Sequence, residues 1–376
     1  MTKPLDFPTG PTQSSGHSSL ISKALGGGFM TDLDRRSFLT SALASLGLAA
    51  TASGDSLAVF AQAAAPPNRS RIDVHHHFGP PAWVAEVKGR PLLQAPNTTW
   101  TPAKSIEDLD RGGGAAAVLS ITNPGLWFGD RAKTNRLARA CNEFGAKVVQ
   151  DHPTRFGLFA AMPLPDVDAT LKEIEYSYDT LKADGVGFMT SYDDTWLGNP
   201  AYKPVMEELN RRNAVVFVHP TAAACCRGLN YAAGVQPASM EYGTDTTRAI
   251  TGVVFNGDAV RFSNIRWIWS HGGGTMPFLA GRIGGDRKNE QMPNGFMYEL
   301  KKFYYDLAGA ANAGVVASLL QLVKADKIMF GTDFPPGGNV LEASATIRAL
   351  KMFSESDLRL IERDNAVKLL PRLRTT

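Results

Sequence analysis

From about residue 70 the chain alternates short apolar runs with amphipathic stretches. The runs are Ile72–Val74, Ala115–Ile121, Phe156–Ala161, Gly185–Met189, Ala214–Val218, Ile265–Trp269, Phe303–Leu307 and Ile328–Phe330. Most are near-continuous in apolar residues rather than alternating, the pattern of parallel strands covered on both faces. Between them, Asp168–Ala183 sets Leu171, Ile174, Tyr178 and Leu181 at three- and four-residue spacing, which predicts an amphipathic helix. Tyr202–Arg212 and Gly314–Lys324 read the same way. Eight strands alternating with helices leave two architectures, a closed barrel and an open doubly wound sheet.

The ends of the runs separate the two. His75 and His77 follow the first run, His219 the fifth, His271 the sixth and Asp333 the eighth. In a barrel all strand ends ring one mouth, whereas the first and last strands of an open sheet need not be neighbours. The pattern therefore predicts a (β/α)8 TIM-like barrel. No Gly-x-Gly-x-x-Gly follows the first run, which disfavours a dinucleotide site. Gly272-Gly273-Gly274 lacks the Lys-Ser/Thr of a phosphate loop and reads as close backbone packing near the mouth.

His75 and His77 lie two apart at a strand end, so both imidazoles point into the barrel and His76 points away. With His219 and Asp333 they make a ligand set of three imidazoles and one carboxylate, with water completing the shell. That set suits Zn2+ best, with Mn2+ or Fe2+ as alternatives, because N/O sites discriminate weakly. Trp127 and Trp196 follow the second and fourth runs, where an aromatic substrate could stack on them; simple packing is the other reading.

Asp-Val-His-His-His at 73–77, Val-His-Pro at 218–220, Ser-His-Gly-Gly-Gly at 270–274 and Phe-Gly-Thr-Asp-Phe-Pro at 330–335 together resemble the amidohydrolase-related superfamily. More narrowly, the chain resembles the aminocarboxymuconate-semialdehyde decarboxylase family and, within it, the 6-methylsalicylate decarboxylases. That likeness rests on His-His-His-Phe-Gly-Pro-Pro at 75–81, His-Pro-Thr-Ala at 219–222, Asp-Thr-Thr-Arg-Ala at 245–249, Phe-Tyr-Tyr-Asp at 303–306 and the closing Asp-Asn-Ala-Val-Lys-Leu-Leu. It runs from about residue 70 to 372.

The resemblance implies that His75, His77, His219 and Asp333 bind one metal ion and that His271 acts as acid/base toward the metal-bound water. It further implies that Arg282, downstream of His271, is offered across a homodimer interface to the substrate carboxylate. The family also uses an arginine from the segment after the first strand, for which Arg90 and Arg111 are the candidates. The fourth run, Gly-Val-Gly-Phe-Met-Thr-Ser-Tyr, has no lysine to bridge a second ion. The expected reaction is non-oxidative decarboxylation of a small aromatic, hydroxybenzoate-type carboxylic acid, with Asp333 as a second candidate proton donor. The rival reading is a hydrolase of the same superfamily acting on a lactone, ester or amide. A binding protein with a relic site is the third.

A net charge of +3 argues against nucleic acid or an anionic membrane as partner. Cys141, Cys225 and Cys226 cannot close a disulfide framework; the adjacent Cys225 and Cys226 are expected as two small buried hydrophobes, with a metal-ligand or redox role as the alternative. Residues 1–29 are rich in Gly, Ser, Thr and Pro without periodicity and read as disordered, with Met30 as an alternative start. Arg35-Arg36-Ser37-Phe38-Leu39 carries the twin-arginine export signature. The apolar stretch after it, Ala42–Ala50 and Leu57–Ala61, is too short for a membrane span, and Ala61-Gln62-Ala63 offers a cleavage site. The expected organisation is a leader over residues 1–65 and a barrel over 66–376, delivered to the periplasm by the twin-arginine translocase, or cytoplasmic if the signal is unused.

Overall fold

The computed structural model describes residues 70–90, 95–221, 223–226 and 232–375. The expected leader, with its arginine pair and expected cleavage site, lies outside them. Eight strands form one sheet: β1 (Arg71–His77), β2 (Gly114–Ser120), β3 (Phe156–Ala161), β4 (Gly185–Met189), β5 (Val215–His219), β6 (Arg266–Trp269), β7 (Tyr304–Asp306) and β8 (Ile328–Met329). Neighbours pair in parallel and in chain order. The ring closes where the eighth segment returns to β1. Val74 N donates to the Phe330 carbonyl at 3.1 Å, Asp333 N to the His75 carbonyl at 2.8 Å and His77 N to the Phe334 carbonyl at 2.8 Å. This is the predicted (β/α)8 barrel, with a strand at each of the eight apolar runs.

Helices start where a side chain satisfies the free amides of the first turn. Asp130 caps Arg131–Asp151, Asp166 caps Val167–Asp179, and Asn312 caps Ala313–Leu322. The helix expected to reach Ala183 stops at Asp179. The Leu181 and Ala183 amides fold back onto the Tyr176 and Ser177 carbonyls, and Lys182 takes a left-handed φ of 57° to enter β4.

Two apolar layers hold the ring. Ile72, Val74, Phe159, Phe217, Ile268 and Met329 fill the barrel, and Leu369, Leu370 and Leu373 pack on the same cluster from the C-terminal segment. Outside, Val216, Val218 and Trp269 pack with Ile174, Leu209 and Val253 of the surrounding helices. Strand β1 changes phase between Asp73 and His76, where its register against β2 shifts. Val74 therefore joins the interior cluster while the next residue, His75, also faces inward, its ring 5.1 Å from that of Phe217. Among the described residues no helix is long and apolar enough to cross a membrane.

Candidate metal centre and active site

The C-terminal ends of β1 and β5 and the segment after β8 bring His75, His77, His219 and Asp333 together, with one ligand atom of each within 4.8 Å of the others. All four are buried. Each imidazole has its Nδ1 committed elsewhere. His75 Nδ1 lies 2.9 Å from Asp306 Oδ2, His77 Nδ1 3.2 Å from the Ser120 carbonyl, and His219 Nδ1 2.8 Å from the Pro220 carbonyl. The His271 Nδ1 lies 2.7 Å from the Ala308 carbonyl. A carbonyl oxygen only accepts, so His77, His219 and His271 donate from Nδ1, which leaves Nε2 as the nitrogen that faces the site.

Those Nε2 atoms converge. His75 Nε2 and His77 Nε2 are 3.1 Å apart, and they lie 3.4 and 2.9 Å from Asp333 Oδ1. The Nε2 atoms of His219 and His271 are buried without a hydrogen-bond partner among the described residues. Buried acceptors facing one another are unfavourable unless something positive sits between them. A divalent cation turns the same atoms into ligands, so the donor set fits such an ion.

The electrostatics agree. Burial lowers the proton affinity of His75, but Asp306 and Asp333 outweigh it and push the pKa up to about 10. Carboxylates that attract a proton there attract a cation equally. Burial, reinforced by His77 and His75, holds His219 well below its ordinary value, and burial also lowers His77. Burial would raise Asp333, yet its hydrogen bonds with His75 and His77 hold it well below the usual carboxylate range. Asp333 and His271 both sit in the left-handed region, at φ 60° and 53°. Such backbones are uncommon without glycine and cluster where structure serves a site.

His271 stands beside the four-residue cluster rather than in it, grouped with His75 and Asp306. Asp306 is a site residue that sequence reasoning left without a role. Its Oδ2 meets His75, and its Oδ1 accepts the His271 and Ala308 amides, each at 3.0 Å. One carboxylate thus orients both a ligand candidate and the acid/base candidate. Its position at the end of the seventh apolar run was the available signal. Asp73 accepts from the His75 amide, His76 Nδ1 and both the amide and hydroxyl of Thr332, which ties β1 to the segment after β8. His76 points outward as expected, with Nε2 2.7 Å from Ser105 Oγ. Tyr242, also missed, faces His219 and His271 with ring centroids 5.9 and 6.3 Å away.

Both predicted tryptophans reach the loop after β4. Trp127 Nε1 donates to Asp193 at 2.8 Å. Trp196 Nε1 donates to Asp245 at 2.5 Å, and that carboxylate also accepts from the Thr190 and Ser191 hydroxyls. Arg282 is exposed on the helix Met276–Ile283. Arg90 is already engaged, 2.6 Å from Glu86 and over the Phe128 ring. Arg111 is corrected: its helix, Pro102–Gly112, ends just before β2 begins, at the N-terminal end of the barrel and opposite the mouth. The expectation of two buried thiols at Cys225 and Cys226 is corrected, whereas Cys141 is buried. Cys225 is exposed and Cys226 half-buried, because both lie on a loop beyond β5 rather than within a packed strand. The glycine run behaves as predicted, since a Cβ on Gly274 would collide with the Gly243 backbone.

Residues 72–372 match the family model described as Amidohydrolase. The chain belongs to the amidohydrolase family. This amidohydrolase is 37% identical over 325 residues to Decarboxylase yanB of Aspergillus niger, covering 80% of this chain and 88% of that one. It is 32% identical over 324 residues to the 6-methylsalicylic acid decarboxylase of Penicillium expansum, covering 81% and 97%. Its fold matches a dihydroxybenzoic acid decarboxylase from Polaromonas, solved with bound manganese and 2-nitroresorcinol, at a TM-score of 0.70 and 20% identity, covering 81% and 98%. The chain is a carboxy-lyase of the amidohydrolase superfamily, with a His/Asp site for a divalent metal.

Proposed function

We propose that this amidohydrolase removes CO2 from a small hydroxybenzoate-type acid such as 6-methylsalicylate. The observation that carries the reading is the convergence of imidazole Nε2 atoms and Asp333 Oδ1 in the barrel mouth, with one further ring, His271, alongside. His75, His77, His219 and Asp333 would hold a single ion, for which three nitrogens and one carboxylate suit Zn2+, with Mn2+ as the alternative. When bound, the ion supplies a Lewis acid that draws oxygen-bearing groups and acidifies water.

The remaining work falls to side chains. When the bond from ring to carboxylate breaks, its electron pair stays on the ring carbon, which must take up a proton. His271 has its Nδ1 proton committed to Ala308, so Nε2 alone accepts and returns a proton. Asp333 is held well below the usual carboxylate range and has no proton of its own near neutrality; His271 Nε2 would take a proton from water or from the substrate's hydroxyl and pass it to the ring carbon. Trp127 and Trp196 would present aromatic faces to the ring. Arg282 would serve the carboxylate of a second copy of the chain: Phe278, one turn earlier on the same helix face, is 79% exposed and suits a homodimer contact. We place the mature enzyme in the periplasm on the strength of Arg35-Arg36, exported by the twin-arginine translocase; fractionation that finds full-length protein only in cytosol would overturn this.

The reaction is tested by assaying CO2 from metal-loaded enzyme given 6-methylsalicylate and related hydroxybenzoates. Release from at least one of them, with one zinc per chain by elemental analysis, is expected. Silence with all of them, alongside hydrolysis of a lactone or ester, would move the protein to the hydrolases.

A further inference from the structure

The adjacent thiols Cys225 and Cys226 take no part in the reaction above. They occupy the turn Ala224–Cys226 beyond His219, with their Sγ atoms 3.0 Å apart. Cys225 is exposed and Cys226 half-buried, so a small reagent reaches them, whereas Cys141 is buried. The turn is connected to the wall that carries Trp196. The Cys225 amide donates to Asp194 Oδ1 at 2.7 Å, at the tip of the hairpin formed by Ser191–Tyr192 and Thr195–Trp196. The Arg248 guanidinium lies 3.9 Å from Cys226 Sγ, 3.8 Å from Asp245, and 5.7 Å from the Trp196 ring centre. Hydrogen bonding with Cys225, then burial and Glu241, pushes the Cys226 thiol up to about 11. Cys226 thus keeps its proton, and the more exposed Cys225 is the first nucleophile.

We propose that Cys225 and Cys226 form a redox-modification site, converted reversibly into a vicinal disulfide by a low-molecular-weight disulfide, and that this loosens the Trp196 wall of the mouth. The Cys225 thiolate attacks one sulfur of the small disulfide, forming a mixed disulfide and expelling one thiol. The Cys226 sulfur then attacks the Cys225 sulfur, its proton passing to Glu241 as the second small thiol leaves. Two protein thiols are oxidised to one disulfide, and one small disulfide is reduced to two thiols. The ring that closes spans the single peptide between the two residues. That peptide must rotate out of its helical turn, so the Cys226 amide leaves the Ala223 carbonyl that it meets at 3.1 Å, the turn presenting the Cys225 amide to Asp194 is distorted, and Arg248 loses its sulfur neighbour. The hairpin holding Trp196 is then less constrained.

The thiol chemistry stands alone, while the effect on the mouth rests on the proposed reading of Trp196 as a substrate-facing residue. The test treats full-length, metal-loaded enzyme with oxidised glutathione, quenches with an alkylating agent and maps the peptides by mass. The expected peptide carrying Cys225 and Cys226 has lost two hydrogens and resists alkylation, while Cys141 stays reduced. The KM for the decarboxylated acid rises several-fold with kcat nearly unchanged, and dithiothreitol restores it. Cys225→Ser retains the reduced-state activity and ignores the oxidant. Alkylation at both cysteines, or a glutathione adduct that persists, overturns the site. A vicinal disulfide with unchanged KM overturns the effect on the mouth. Should no acid be decarboxylated, the functional reading fails, and the mass measurement still decides the thiol pair.

Discussion

Replacing His271 with Asn removes the ring nitrogen proposed to shuttle the proton beside the candidate ligand cluster, while the new amide can still donate to the Ala308 carbonyl. Positioned acid/base groups contribute about 10²–10⁴-fold. In His271→Asn, kcat falls by a factor in that range with bound metal unchanged by elemental analysis; loss of the metal as well would make His271 a ligand. This residue was legible in the sequence because it closely follows an apolar run, as His77, His219 and Asp333 do. Asp306 ends such a run too, yet its partner His75 stands 231 positions earlier, and only ring closure joins them. Arg111 misled for another reason. The helix that carries Arg111 runs directly into β2, so its C-terminal end lies at the bottom of the barrel, and the length of the segment after β1 did not reveal where that helix ends.

At the scale of elements, the helix Pro237–Phe255 sets Tyr242 against His219 and His271, and it approaches the segment after β6 through bare backbone. The Thr275 amide donates to the Gly243 carbonyl at 3.2 Å, and Gly274 holds a φ of +65°. A methyl group on Gly274 collides with that backbone and opposes the left-handed conformation. Gly274→Ala is therefore expected to lower unfolding stability by about 1–3 kcal/mol in urea titration. The helix also has to shift, so kcat of the folded fraction falls as well; full retention of both would show that the helix adapts freely. Apolar continuity made the strands readable. The phase change in β1 between Asp73 and His76 was not, because alternation along a strand contains no record of its neighbour's register.

At the scale of the molecule, one exposed helix face and one buried carboxyl give tests. Phe278 and Arg282 share one face of the helix Met276–Ile283. If that face meets a second copy, Phe278→Asp converts a dimer into a monomer in sedimentation and lowers activity, because Arg282 no longer reaches the partner's substrate. A wild-type monomer with full activity would remove this role. Asp258 provides the pH test. Burial outweighs the nearby Arg261 and Lys203 and pushes this carboxyl from 3.8 up to about 6. The folded state holds the proton more tightly, so the contribution to stability is complete below the unfolded value and is lost as pH rises through about 6. Asp258→Asn removes that loss. Its Tm should exceed the wild type near neutrality and converge with it toward the unfolded value; a constant difference across that window would point to another cause.

Taken by itself, the sequence determined the alternation of strand and helix, the closure of the ring and the set of ligand-bearing strand ends. Those features depend on local periodicity and on residue types, which a chain displays before it folds. Tertiary structure alone decided which acceptor holds each Nδ1, and so which nitrogen faces the site. It also brought Asp306 beneath both His75 and His271, turned Arg111 away and left the Cys225–Cys226 pair accessible. These are relations between segments far apart in the chain, set by register and packing, and no local pattern encodes them.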